Sequence, residues 1–114
     1  MKVWNATRGV WLASHVEVAD RFVRRLVGLL GRPSLPPEHG LLITWCDSIH
    51  TIGMRFPIDV VFVDQDTRVV KTVEALKPLR VVLPIQRAVA VLELPVGTIR
   101  RTRTCVGDQL HFLD

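Results

Sequence analysis

Apolar residues change their repeat once along this chain, from a helical period near the start to extended runs afterwards. Between Asp20 and Leu30 they fall at Phe22, Val23, Leu26, Val27 and Leu30, while Arg21, Arg24 and Arg25 occupy the other face. That spacing predicts an amphipathic helix over about residues 20–30. Asp20 suits its N-cap, Gly31 suits the left-handed residue past its end, and Pro33 blocks continuation. Ser14 with Glu17 offers an alternative capping box and an earlier start. The stretch from Arg32 to Gly40, with Pro33, Pro36 and Pro37, reads as an exposed loop.

Beyond Gly40 the runs Leu41-Leu42-Ile43, Val60-Val61-Phe62-Val63, Val69-Val70 and Val89-Ala90-Val91-Leu92 are apolar or β-branched, the composition of strands. Asp64-Gln65-Asp66-Thr67 reads as a hairpin turn, and the prolines in Lys77-Pro78-Leu79 and Leu94-Pro95-Val96-Gly97 interrupt the later runs. Short strands with regular turn signals predict a mainly β (α+β) fold. The expected form is a compact antiparallel sandwich or small barrel with the one helix packed on it. A chain of 114 residues supports one core, so residues 1–114 are expected to form a single domain.

Composition narrows the functional classes. No run reaches the length of a membrane span, and the N-terminal stretch lacks a long apolar core, so a soluble, cytoplasmic protein is expected. Cys46 and Cys105 form no CxxC unit and read as reduced thiols packed as small apolar groups. The charge of +4 arises from 12 arginines and 3 lysines against 11 acids, with no single basic block. Arg21, Arg24 and Arg25 make one basic group and Arg100, Arg101 and Arg103 a second. Both read as solvated surfaces, since neither a nucleic-acid motif nor an aromatic stacking series accompanies them. Trp4, Trp11 and Trp45 read as core or rim packing.

Polar residues inside strand-like runs are the candidate chemistry. His50, Thr51 and Asp59 lie within Cys46–Asp64, and Glu93 stands in Ala88–Leu94 with no polar neighbour. An ionised carboxylate among Ile, Val and Phe must find a donor, a cation, a ligand or water. Asp59 could accept hydrogen bonds that fix the start of its strand, although pairing with a buried arginine such as Arg32 or Arg55 is the favoured reading for both acids. His50 could bind metal or simply donate to a carbonyl. His50, Asp59 and Glu93 together supply the ligand types of a two-acid, one-histidine metal site.

The segments Arg25–Arg32, Ser48–Thr51 through Met54, Pro57–Phe62, Leu92-Glu93-Leu94 with Gly97, and Gly107-Asp108 together resemble the small prokaryotic family named domain of unknown function 192. The resemblance spans nearly the whole chain and implies a compact, mainly β domain; the family supplies no activity. His50 and Thr67 depart from its pattern, the first where many relatives have tryptophan and the second where the hairpin often has glycine.

The leading expectation is a non-catalytic binding module that holds a small ligand or a partner's segment at His50, Thr51, Asp59 and Glu93, supported by Arg32, Met54 and Arg55. Its rivals are a metal-assisted hydrolase built on His50, Asp59 and Glu93, and a scaffold whose basic surfaces meet an acidic partner. No particular cofactor follows from the residues.

Overall fold

The computed structural model describes residues 1–20 and 33–114; Arg32 and the helix expected over 20–30 lie outside them, except Asp20, which is the last residue of a strand and not a helix cap. A three-stranded sheet of order β10-β1-β2 combines β1 (Lys2–Asn5), β2 (Val10–Ala13) and β10 (Leu110–Leu113). A five-stranded sheet of order β3-β4-β9-β6-β7 holds β3 (His15–Asp20), β4 (His39–Thr44), β6 (Ile58–Val63), β7 (Val69–Leu76) and β9 (Ala90–Pro95). A two-stranded ribbon pairs β5 (Ile49–His50) with β8 (Val81–Val82). One short helix, α1 (Thr98–Thr102), links β9 to the last turn.

The mainly β expectation holds, with no sheet closed into a barrel among the described residues. Pairing is antiparallel except that β3 runs parallel to β4. Ser14 immediately precedes β3 and Glu17 lies within it, so the alternative capping box is strand sequence instead. The turn at Asp64–Thr67 forms as expected. Asp64 Oδ1 accepts from the main-chain N–H of Asp66 and of Arg68, and Thr67 adopts the left-handed φ of 58° that glycine more readily takes.

Apart from Asp59 and Glu93, β6 and β9 are apolar on both sides because both faces of their sheet are covered. On one face Val61, Val63, Leu92 and Leu94 pack with Val3, Leu12 and Leu110 of the three-stranded sheet and with Ile99 of α1. On the other, Ile43, Ile58, Val60, Phe62 and Val91 pack with Ile49 and Met54, with Val82 against them. Gly40 sits where β4 meets β9 closely: a Cβ there would lie 3.2 Å from Glu93 O and from Leu94 Cδ2.

Candidate functional site

The four candidate residues divide between two places. Asp59 lies in β6, paired with Leu94 of β9, and its side chain therefore shares a face with Val61 and Leu94. Glu93 pairs with Val60 and Leu41, which belong to the opposite face. Strand alternation thus sends the two buried carboxylates to opposite sides of one sheet. Among the described residues no group of three His, Cys, Asp or Glu is arranged to hold a metal ion. The hydrolase reading that joined His50, Asp59 and Glu93 around a cation is corrected by this register.

Asp59, only 1% exposed, is held by main-chain donors and not by an arginine fork. Its Oδ1 accepts from Ala75 N–H at 2.8 Å, and its Oδ2 accepts from Gly97 N–H at 3.1 Å and Ile99 N–H at 2.9 Å. Gly97, with φ of 96°, is the N-cap of α1 and has no side chain to cap with, so Asp59 serves the helix from a neighbouring strand. The Oδ1 contact holds a bulge. Between the pairs Ile58↔Leu76 and Val60↔Val73, β7 has two residues opposite Asp59 alone, and one of them, Ala75, has φ of 50°. One carboxylate therefore locks β6, β7 and α1 together. Glu93 is wholly buried in β9 and is not without an interaction.

Thr51 is equally buried and works as a hub between two loops. Its N–H donates to Arg80 O at 2.8 Å, and its O accepts from Leu79 N–H at 3.2 Å and Met54 N–H at 3.1 Å. Its hydroxyl donates to Lys77 O at 2.6 Å and accepts from Arg80 N–H at 2.9 Å. Residues 77–80 are thereby fastened beside β5. Met54 packs into the core at 6% exposure, whereas Arg55 is exposed.

That fastening determines what the ribbon displays. Ile49 and Val82 pack on the core; Val81 beside them is exposed, whereas its partner His50 is half-buried, with its Nδ1 out of reach of solvent. Around them Leu83 is 73% exposed, Leu79 72%, Val81 59% and Ile52 53%. Neither β5 nor β8 pairs with a third strand among the described residues. These exposed aliphatic side chains lie outside both core clusters. Trp45, 82% exposed, is likewise outside the core, which corrects its reading as packing; Trp4 and Trp11 form an edge-to-face pair with centroids 4.9 Å apart.

A second polar cluster went unnoticed as a site in the sequence. Asp108 Oδ2 accepts from Asn5 Nδ2 at 3.0 Å, Arg8 Nε at 3.1 Å and Cys105 N–H at 3.0 Å. Burial by itself would raise the Asp108 pKa. The combined hydrogen bonds of Asn5, the Cys105 main chain, Arg8 and the Cys105 thiol outweigh it and hold the carboxyl below its ordinary value. In sequence Gly107-Asp108 stood only among the segments of the family resemblance, because Asn5 and Arg8 lie about a hundred residues away.

The family model described as uncharacterized ACR, domain of unknown function 192, matches residues 3–112. The chain belongs to this family. Among its curated relatives, a UPF0127 protein of Pyrococcus abyssi is 32% identical over 115 residues, 96% of this chain and 95% of that one. Another, from Thermococcus gammatolerans, is 36% identical over 116 residues, 95% of this chain and 72% of that one. A crystal structure of a protein of unknown function from Novosphingobium aromaticivorans shares the fold, with a TM-score of 0.81 at 23% identity over 98% of this chain and 84% of that one. None of these names an activity. Among the segments that carry the resemblance, Pro57-Ile58-Asp59 is hydrogen-bonded to Gly97, Gly107-Asp108 to Asn5, and Ser48–Met54 through Thr51 to Lys77 and Arg80. No helix among the described residues is long and apolar enough to cross a membrane.

Proposed function

We propose that the protein is a non-catalytic binding module that takes an extended apolar segment of a partner protein along the β5–β8 ribbon. The observation that carries this reading is the exposure of Leu79, Val81, Leu83 and Ile52 around a ribbon with no third strand among the described residues. A peptide added as a strand would obtain main-chain hydrogen bonds from the ribbon edge and bury its alternate side chains against this aliphatic face. Thr51 holds the neighbouring loop in shape from beneath, and half-buried His50 borders the face. Asp59 and Glu93, carried by the central sheet, support the scaffold and lie outside the contact. The free thiols of Cys46 and Cys105 accord with a reducing, cytoplasmic setting.

Titration of the ¹⁵N-labelled protein with a short lysine-capped peptide alternating valine and threonine tests the reading. Saturable shifts confined to residues 49–54 and 79–85, with Kd tighter than about 1 mM, are expected. Absence of saturation, or shifts spread evenly over the surface, would remove it.

A further inference from the structure

A pocket of about 400 Å³ opens on the far side of the molecule, between β2 and α1, lined among others by Lys2, Trp11, Ser14, Glu38 and Arg101. Its volume lies within the range of small-molecule sites. Two cations converge there on one residue. Lys2 Nζ stands 5.8 Å from the Trp11 ring centroid, and the Arg101 guanidinium reaches Trp11 O at 3.4 and 3.5 Å. Those arginine contacts are long, so most of its five donors remain available to a ligand. Trp11 itself is 44% exposed, its ring near the Lys2 ammonium and its main-chain oxygen against Arg101. Glu38 supplies the opposing charge at the rim, where one of its oxygens accepts from Ser14 Oγ at 3.1 Å.

We propose that this pocket binds a small organic carboxylate with a flat apolar body, the carboxylate meeting Lys2 and Arg101 and the body lying against Trp11. A planar guanidinium matches a carboxylate in two parallel hydrogen bonds, and an ammonium adds a movable point charge. Glu38 opposes the ligand's charge and limits its affinity. This site is separate from the ribbon face and requires none of its residues.

Benzoate is the probe, followed through the indole N–H resonances of the three tryptophans. Saturable movement of the Trp11 resonance is expected with Kd of about 1 mM or tighter. The Lys2→Gln/Arg101→Gln double variant, altered only at exposed side chains, should bind at least about tenfold more weakly, a loss of about 1.4 kcal/mol. Glu38→Gln should tighten binding. A linear, unsaturable shift, equal affinity in the double variant, or weaker binding by Glu38→Gln would overturn the proposal. Leu83→Asp should leave benzoate binding unchanged, which separates this test from that of the ribbon.

Discussion

The central sheet and the β5–β8 ribbon invert each other's relation to water. In the sheet, a charged residue at Asp59 is buried and every contact it makes is to main-chain N–H groups of β7 and the α1 turn. On the ribbon, aliphatic residues at Leu79, Val81 and Leu83 are held in solvent by a buried threonine. The first arrangement uses polarity to build the fold. The second leaves apolar area exposed, at a cost of roughly 25 cal/mol per Å² that a partner could recover. A polar residue inside a strand is therefore, in this molecule, a sign of architecture, and the surface that could do work is apolar.

Replacing Asp59 attacks the architectural side most severely. Asp59→Ala leaves three main-chain donors without their acceptor and should cost about 3–5 kcal/mol, close to the whole stability of a small domain. Denaturant unfolding measures it, and a loss below about 1 kcal/mol would contradict the saturated-carboxylate account. Asp108→Ala should follow, costing about 2–4 kcal/mol by stranding the Asn5 amide and the Cys105 N–H.

Asp108 also sets an acid dependence. Its folded pKa lies below the ordinary carboxylate value of 3.8, so between the two the unfolded chain binds more protons. Its contribution is complete above the unfolded value and is lost as pH falls through the folded one. Asp108→Asn should flatten the stability curve across that acid window while leaving its shape near neutrality unchanged.

How much of this was legible in advance follows from which interactions are local. The strand runs at 41–43, 60–63, 69–70 and 89–92 and the Asp64–Thr67 turn could be read because apolar β-branched runs and turn chemistry are short-range signals, whereas β1, β2, β3 and β10 were not read. Asp59 stood out correctly as a carboxylate needing a partner. That its partners would be the N–H groups of Ala75, Gly97 and Ile99 could not be read, because a main-chain donor has no signature in sequence. The opposed directions of Asp59 and Glu93 depend on the register of β6 with β9, fixed by pairing between segments far apart. The ribbon face was missed for a related reason: Val81-Val82-Leu83 looks the same whether buried or exposed, and its pairing with Ile49 and His50 beside the Thr51 hub joins segments far apart in sequence.

Smaller changes sharpen the contrast. Thr51→Val keeps the shape but removes the hydroxyl shared by Lys77 O and Arg80 N–H, and should cost about 1–2 kcal/mol while loosening residues 77–83, seen as faster amide exchange there. Ala75→Gly relieves a left-handed φ beside the Asp59 contact and should raise stability by up to about 1 kcal/mol in thermal unfolding.

The central claim is that the ribbon's exposed aliphatic side chains contribute to binding and not to folding. Leu83→Asp, measured in parallel for thermal stability and for affinity toward the valine–threonine peptide, tests it most directly. The account predicts a stability change within about 0.5 kcal/mol together with at least tenfold weaker peptide binding. A protein that unfolds on this substitution, or that binds the peptide as well as before, would contradict it.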